Sequence, residues 1–339
     1  MPLISIVMPV YNGEKTIQKT IDSALQQTFT DFELIVVNDG STDDTLEILN
    51  TIQDPRVKVI SSPNRGSYPA RNLGIQQAQG EFIAFLDADD LWTADKLAAQ
   101  LDALQRYPKT AVAYSWTEFI DLFGHPLGGR SKITLNGDIW QDLLIENLMI
   151  SGSNPMVRRQ ALDAVGHFDE SFHTAGDWDL WIRLAKRYHF VVVPKVQVFY
   201  RRTDQAWSAN LQRQEKASFR VIEKSFAGLP AAWQPLKKRA IARYSWYLAR
   251  RVFEVLPSSS PRLPGRSEGW LALRALGRVL YYHPVYLRHW RACLKIFITI
   301  IATFLLPPTQ IQRIREQLRA LRAIGLGDHA SEERTLNDK

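Results

Sequence analysis

The sequence is poor in cysteine and in long apolar runs. Its 339 residues contain a single cysteine, Cys293, which excludes an internal disulfide and a cysteine-cluster metal site. A largely apolar stretch at residues 296–306 has only 11 residues, whereas a helix that spans a bilayer needs about 20. The start of the chain also lacks the basic and apolar segments of a secretory signal. We therefore expect the N-terminal body to lie in the cytoplasm.

Acidic residues become scarce toward the C-terminus. Residues 231–339 contain 19 Lys and Arg against 7 Asp and Glu, whereas residues 1–230 contain 23 against 28. A basic segment of this kind favours contact with an anionic surface. The sequence therefore predicts that residues 270–322, which include a basic amphipathic helix at 310–322, lie against an anionic membrane. The alternative is a buried helix at 296–306 that packs on the N-terminal body or on a second subunit. Nucleic acid is not an expected partner.

Short apolar runs alternate with helical patterns over the first hundred residues. The runs lie at residues 4–7, 34–37, 57–60 and 82–86. Their composition is typical of parallel strands that are buried on both faces. Alternation of strands and helices predicts a sheet with right-handed crossovers. The predicted fold class is α/β, with a mainly parallel central sheet flanked by helices and a helical C-terminal extension.

Polar and turn-forming residues follow each of these predicted strands. In chain order the segments are Tyr11-Asn12-Gly13, Asn38-Asp39-Gly40, residues 61–66, and Asp87-Ala88-Asp89-Asp90. Ligands of open α/β sheets bind beyond the carboxyl ends of the strands. We therefore expect the four segments to converge on one crevice.

Asp87 and Asp89 are candidate metal ligands. Both carboxylates follow the same strand, so they can share one hard divalent cation, directly or through water. Such a cation could neutralise a diphosphate as it leaves. The alternative is a loop of helix-capping acids before a helix that starts near Thr93.

Asp39 and Arg71 are candidates for contacts with a nucleotide. An acid at a strand end can accept hydrogen bonds from a base or ribose, although helix capping explains the Ser-Thr pair that follows Asp39. Arg71 lies in a helix predicted at residues 68–78, with Gly80 as its stop signal. An arginine there can bind a phosphate or stack on a base, or it can remain a solvated helix residue.

Four motifs occur together in a fixed order. They are Pro9-Val10-Tyr11-Asn12, Val37-Asn38-Asp39-Gly40-Ser41, Ala70-Arg71-Asn72-Leu73-Gly74 and Leu86-Asp87-Ala88-Asp89-Asp90. In order and spacing they resemble the motifs of the family 2 glycosyltransferases, which are inverting, nucleotide-sugar-dependent enzymes of the GT-A fold. The resemblance covers residues 1–210.

This resemblance implies roles for individual residues. The residues implied for the nucleotide-sugar site are Pro9, Tyr11, Asn12, Asp39, Arg71 and Asp87. Among these, Asp39 would bind the nucleoside and Arg71 would help to hold the donor. Asp87 and Asp89 would place the diphosphate and its Mn²⁺ or Mg²⁺.

A second acidic segment, Gly176-Asp177-Trp178-Asp179, resembles the family motif that supplies the base. Residues two apart on a helix point in nearly opposite directions, so only one of the aspartates can face the crevice. Asp179 can form a surface ion pair with Arg183 at i, i+4. Asp177 lies on the more apolar side, where burial raises proton affinity, and is the predicted catalytic base. The family commonly has Glu at the position of Gly176, and this departure bears on how the acceptor is positioned.

Tyr200-Arg201-Arg202-Thr203 resembles a Tyr-Arg-x-His segment of the family, with Thr203 where histidine is frequent. It follows strand-like residues at 190–193 and 196–199. Arg201 could supply positive charge to the leaving diphosphate. It could equally be a lid residue without contact to the donor.

The predicted organisation has three parts. They are a nucleotide-sugar-binding half at residues 1–125, an acceptor half with the base at 126–215, and a basic helical extension at 216–339. Between elements, we expect a Gly-rich polar loop at 124–136 and a linker at 259–268.

The implied function is that of an inverting, metal-dependent glycosyltransferase of the hexosyltransferase type. It would move a sugar from a nucleotide-diphosphate sugar to a hydroxyl of a glycan or lipid-linked acceptor during synthesis of a cell-envelope polysaccharide or glycolipid. It would act in the cytoplasm or on the inner face of the cytoplasmic membrane. The alternative is a non-catalytic adaptor that binds nucleotide or membrane. A dinucleotide-dependent oxidoreductase is disfavoured, because residues 9–15 contain one glycine and not the Gly-x-Gly-x-x-Gly turn.

Overall fold

Four strands near the N-terminus form the parallel half of one sheet. The computed structural model of the protein describes residues 1–202, 210–252 and 266–305, together with Gln310. The four strands are β1 (Ile4–Val10), β2 (Phe32–Asp39), β3 (Val57–Ser62) and β4 (Phe82–Phe85). They pair in the order β3-β2-β1-β4, parallel throughout. All seven residues of β1 are buried, as expected for a strand covered on both faces. None of the six residues of β3 is buried, because β3 lies at the edge of the sheet, so the prediction of a strand buried on both faces was wrong for residues 57–60.

Three helices connect these strands, as the sequence predicts. They are α1 (Ile17–Leu25), α2 (Thr45–Asn50) and α3 (Ser67–Gln77). The apolar residues at helical spacing on α1 are Ile17, Ile21, Ala24 and Leu25, of which the first three are buried and Leu25 is partly buried. The repeated strand–helix units therefore confirm the α/β class and bring the carboxyl ends of β1 to β4 to one edge.

The sheet continues with strands of mixed direction. The further elements are β5 (Leu91–Trp92), α4 (Lys96–Arg106), β6 (Thr110–Ile120), β7 (Pro126–Arg130), α5 (Trp140–Ile145), β8 (Met156–Arg158), α6 (Arg159–Val165), α7 (Gly176–Ala185) and β9 (His189–Arg201). Beyond β4 the order is β8-β6-β9-β5, with β7 paired on β6. Only β6 and β9 run parallel among these pairs. The mainly parallel arrangement that the sequence predicts thus describes the N-terminal half of the sheet.

A further local prediction was wrong. The expected loop at residues 124–136 contains β7, which pairs with β6. The chain reverses between the two strands at residues 121–125, where Gly124 adopts a φ of 98°. The two strand-like runs after residue 189 form the single strand β9. Its register against β6 skips Pro194 and Lys195, so a bulge takes up the interruption.

The C-terminal part of the chain is helical, as predicted. It contains α8 (Leu211–Phe226), α9 (Gln234–Arg251), α10 (Arg266–Tyr282) and α11 (Trp290–Leu305). One compact unit includes Met1–Tyr244, and the second begins within α9 at Ser245 and includes α10 and α11. The predicted helix at 310–322, apart from Gln310, and residues 259–265 of the predicted linker lie outside the described residues. The described helices include none with the length and apolar character needed to cross a bilayer.

Gly80 lies where the chain passes directly against β1. Helix α3 ends at Gln77, before the predicted stop at Gly80. A Cβ atom on Gly80 would lie 2.6 Å from the backbone nitrogen of Ser5 and 2.7 Å from the carbonyl carbon of Ile4. Close backbone approach, rather than a helix stop, therefore requires glycine here.

We predict that Gly80→Ala lowers the free energy of unfolding by about 1–3 kcal/mol, because a packed strand must shift. Denaturant unfolding followed by circular dichroism measures the change. The control is Gln76→Ala, an exposed position on α3. Equal stability of the two variants would contradict the close-packing argument.

Candidate active site

Side-chain hydrogen bonds tie the loops after β1 and β2 together. The amide of Asn12 donates to Ser41 Oγ at 3.0 Å, and the amide of Thr42 donates to Asn12 Oδ1 at 2.8 Å. The amide of Gly13 donates to Thr45 Oγ1 at 2.8 Å. The predicted convergence of these two strand ends is therefore confirmed.

Asp39 connects the second strand end with the third. Its buried carboxylate accepts the amides of Arg65 and Gly66 at 2.9 and 2.8 Å. The carboxylate thereby sets the start of α3, and its remaining lone pairs are the ones that could meet a nucleoside. At the neighbouring strand, Pro9 is buried inside β1, whereas Tyr11 is 44% exposed just beyond its end.

Arg71 connects α3 with the fourth strand end. It is only 6% exposed and forms an ion pair with Asp87, so the alternative of a solvated helix residue is wrong. Its guanidinium lies 5.4 and 5.5 Å from the ring centroids of Tyr68 and Phe168. Its Nε has no hydrogen-bond partner among the described residues. A buried cation therefore lies beside the first acid of the Asp87–Asp90 segment.

The backbone of this acidic segment is held in place from several sides. Thr16 and Thr20 of α1 donate to the carbonyl of Ala88 at 2.9 and 3.0 Å. The amide of Asp87 donates to Ser153 Oγ at 2.9 Å. The two candidate metal ligands therefore lie on a loop that is fixed before any ligand binds.

Asp90 is the main support of that loop. One of its carboxylate oxygens accepts the hydroxyls of Ser151 and Ser153 at 2.8 and 2.5 Å, and the other accepts the amide of Arg201 at 3.0 Å. The side chain is fully buried. Burial, and then the charge of Asp89, hold the pKa of Asp90 well above its usual range.

Arg201 is a buried linker between the acidic loop and the turn after β6. Its Nε donates to the carbonyl of Asp89 at 2.7 Å, and its Nη1 donates to those of Asp121 and Leu122 at 2.9 and 2.5 Å. The side chain is 1% exposed. Its described contacts fix the loop, and the contact with a leaving diphosphate stays a prediction.

Asp87 and Asp89 have the chemistry of a divalent-cation site. Both are half-buried, and burial together with the charge of Asp87 raises the pKa of Asp89 to about 6. Adjacent carboxylates that repel each other are stabilised by a shared cation, and oxygen ligands suit Mg²⁺ or Mn²⁺. Among the described residues no group of three or more acidic, His or Cys side chains forms a metal site. The pair therefore fits a cation that takes its other ligands from phosphate and water.

The surroundings of the two aspartates of α7 differ from those that the sequence predicts. Asp179 is not part of a surface pair: it is 2% exposed and binds both Arg183 Nε at 2.9 Å and Lys224 Nζ at 2.8 Å. The reason is that α8, which carries Lys224, packs on α7, a contact that the pattern of α7 alone does not contain. Both carboxylate oxygens of Asp179 are therefore occupied by ion pairs within the fold.

Asp177 faces the crevice. Burial raises its pKa, and the charges of Arg71 and Asp87 act on it in opposite directions. Asn147 Nδ2 lies 3.4 Å from Asp177 Oδ2. Polar side chains therefore surround Asp177, in addition to the apolar side chains that the sequence predicts. Its role as the base stays a prediction.

Sequence reasoning missed the residues that support the site. Ser151, Ser153, Asn147 and Tyr68 belong to no periodic pattern and to none of the four motifs. Asp90 was visible as the last acid of its motif, but its buried support role was not. A polar Ser-Gly-Ser-Asn run at 151–154 was the one signal available.

This combination of sheet, helices and strand-end acids is the GT-A fold of glycosyltransferases. TarS from S. aureus superimposes with a TM-score of 0.55 and 20% identity, over 88% of this chain and 55% of TarS. The mannosyltransferase PcManGT from Pyrobaculum calidifontis, solved with GDP-Man and Mn²⁺, gives a TM-score of 0.55 and 18% identity, over 90% of this chain and 87% of that protein.

The sequence family is equally clear. The model of the glycosyltransferase-like family 2 matches residues 5–251, and the chain belongs to this family. It is 32% identical over 233 residues to a chondroitin synthase of Pasteurella multocida. That match covers 66% of this chain and 23% of the synthase, so the chain spans less than a quarter of that relative.

We predict that Asp90→Ala lowers the free energy of unfolding by about 2–4 kcal/mol, because it leaves two hydroxyls and one amide without their acceptor. Thermal and denaturant unfolding measure the loss. In the control Asp102→Ala, an exposed carboxylate loses its ion pair with Arg106, and we expect less than about 1 kcal/mol. A similar small change in both variants would show that Asp90 does not support the loop.

Proposed function

We propose that this protein is an inverting glycosyltransferase that uses a nucleotide-diphosphate sugar as donor. The observation that carries the proposal is the meeting of donor-side and acceptor-side groups in one crevice. Arg71 of α3 forms an ion pair with Asp87 after β4, and its guanidinium lies 5.4 Å from the ring of Tyr68, whose hydroxyl accepts the amide of Asp177 on α7. A nucleotide site and a candidate base thus share one space.

The donor would lie along the strand ends. Tyr11 and Asn12 at the end of β1 and Asp39 at the end of β2 would contact the nucleoside. Arg71 would hold the diphosphate through its guanidinium, which already pairs with Asp87. Asp87 and Asp89 would hold Mn²⁺ or Mg²⁺, which supplies positive charge to the diphosphate as it leaves.

Asp177 would remove the proton from the acceptor hydroxyl. The acceptor oxygen then forms a bond to the anomeric carbon while the bond from that carbon to the diphosphate oxygen breaks. Attack from the face opposite the leaving group inverts the anomeric configuration. The raised pKa of Asp177 suits this role, since a base works best when its pKa approaches the working pH.

The acceptor would be a growing glycan or a lipid-linked sugar of the cell envelope. Chondroitin synthase, a polymer-forming relative by its name, supports a polysaccharide product. The adaptor alternative is disfavoured, because Asp39, Asp87 and Asp89 are all present at the carboxyl ends of β2 and β4.

We also propose that α11 rests on an anionic membrane. Its exposed apolar residues recur at helical spacing: Trp290, Leu294, Phe297, Ile298, Ile301 and Leu305. Its other side, with Cys293, Ile296 and Ile300, is buried. No acidic residue occurs in α11, and the chain around it is strongly basic. Such a face suits the headgroup region of the inner leaflet.

We predict that Asp177→Asn lowers kcat by about 10²–10⁴-fold while the affinity for nucleoside diphosphate is retained. Asp179→Asn should lower the melting temperature, because Arg183 and Lys224 lose the negative charge with which they pair. The folded variant should remain active. A screen of nucleotide sugars with Mn²⁺ or Mg²⁺, followed by release of the diphosphate, provides the assay. If only Asp179→Asn abolished transfer by folded protein, the assignment of the base would be wrong.

The pH dependence of kcat is a second test of Asp177 as the base. The base must be ionised, and its folded-state pKa is raised. Activity should therefore fall, as the pH is lowered, at a pH above the ordinary aspartate pKa of about 3.9. If kcat fell only at or below that pH, the role of Asp177 as the base would be contradicted.

We predict that the double variant Phe297→Ser, Ile301→Ser loses flotation with vesicles of phosphatidylglycerol. Sugar transfer to a water-soluble acceptor should stay unchanged, since the substitutions lie outside the crevice. Vesicles of phosphatidylcholine serve as the uncharged control. Equal flotation of variant and wild type, or flotation of neither, would exclude this face as a membrane contact.

A further inference from the structure

The helix that carries Asp177 begins without a cap of its own. The first amides of an α-helix have no partner within the helix. Ala175, the residue before α7, has a left-handed φ of 60° and provides no capping side chain. The amides of Gly176 and Asp177 instead donate to the hydroxyl of Tyr68, at 2.7 and 3.3 Å. The cap therefore comes from α3, on the other side of the crevice.

Gly176 is the residue that makes room for this tyrosine. A Cβ atom at position 176 would lie 2.7 Å from Cε2 and 2.9 Å from Cζ of Tyr68, and 3.1 Å from Cβ of Phe172. The first two distances are too short for any side chain. The Tyr68 ring is 5% exposed and stacks on Phe168 at a centroid distance of 5.3 Å. It has little freedom to move away, so the residues at 68 and 176 depend on each other.

The same ring touches the donor side of the crevice. Arg71 follows Tyr68 on α3, and its guanidinium lies 5.4 Å from the ring centroid. The hydroxyl at the far end of the ring meets the backbone of Asp177. One buried phenol thus joins the helix that carries the diphosphate-binding arginine to the helix that carries the base.

We propose that Tyr68 is a positioning residue: it caps α7 from α3 and sets the backbone of Asp177 at the distance from the donor that proton removal requires. Gly176 is its obligatory partner. The positioning role rests on the proposed function, in which Asp177 is the base. The cap and the steric pairing do not rest on it.

The first test is Tyr68→Phe, which removes the hydroxyl and keeps the ring. Because displacement of a reacting group by an ångström can cost about a hundredfold in rate, we expect kcat to fall by about tenfold to a hundredfold. Affinity for UDP or GDP with Mn²⁺, the probes used, should stay unchanged. Amide hydrogen exchange at Gly176 and Asp177 should become faster.

Tyr114→Phe is the matched control. The hydroxyl of Tyr114 donates to the carbonyl of Leu135 at 2.6 Å, so this variant also loses one phenolic hydrogen bond, at a position outside the proposed site. We expect lower stability and an unchanged kcat. An equal loss of kcat in both variants would reduce Tyr68 to a general stability residue.

The second test is a double-mutant cycle. Gly176→Ala should lower activity and melting temperature in the wild-type background. It should be much better tolerated in a Tyr68→Leu background, where Cε2 and Cζ are absent. Gly277→Ala is the control for glycine replacement in a helix, since a Cβ there meets nothing within 4 Å. Equal effects of Gly176→Ala in both backgrounds would overturn the pairing.

The outcomes separate this inference from the proposed function. Active wild type, an inactive Asp177→Asn and an unchanged kcat in Tyr68→Phe would overturn the positioning role alone. If kcat of Tyr68→Phe were unchanged while amide exchange at Gly176 and Asp177 became faster, Tyr68 would cap α7 without affecting catalysis. That outcome also overturns the positioning role. If the wild type transferred no sugar from any donor, the proposed function would fail, and with it the positioning role. Amide hydrogen exchange and the double-mutant cycle would then still test whether Tyr68 caps α7 and whether it pairs sterically with Gly176.

Discussion

The hydrogen bonds of the Asp90 carboxylate are the interaction on which the site depends. They join the acidic loop after β4, the serine segment before β8 and the end of β9. The acidic loop lies between β4, which pairs with β8, and β5, which pairs with β9, so the carboxylate links the ends of two backbone ladders. Without a shared acceptor, two buried hydroxyls and an amide would each carry a desolvation cost. The carboxylate therefore fixes where Asp87 and Asp89 stand.

The site concentrates charge of both signs in a small volume. Asp87, Asp89 and Asp90 lie within four residues, and the buried Arg71 and Arg201 bind the Asp87 carboxylate and the Asp89 carbonyl, respectively. Arg201 also binds the carbonyls of Asp121 and Leu122 and so holds the loop. Each arginine keeps one buried guanidinium nitrogen without a hydrogen-bond partner among the described residues.

Prediction from sequence succeeded where the signal is local. The first four strands follow apolar runs, although β3 at the sheet edge has no buried residue. Parallel connection brings their ends together whatever the details of packing. It failed where a partner comes from elsewhere in the chain. The ion pair of Asp179 became a buried network because Lys224 of α8 covers it. The strand β7 formed within a Gly-rich segment because β6 offered it an edge.

The sequence by itself determined the α/β class, the order of the four motifs and the family, because each depends on composition and spacing along a short stretch. Only the tertiary structure decided that Asp179 is buried in ion pairs with Arg183 and Lys224, and what occupies the space beside Gly176. The Tyr68 hydroxyl and the Gly176 amide are 108 residues apart, and no periodicity connects positions at that separation. Their contact arises from the packing of α3 against α7, and so does the position of Asp177.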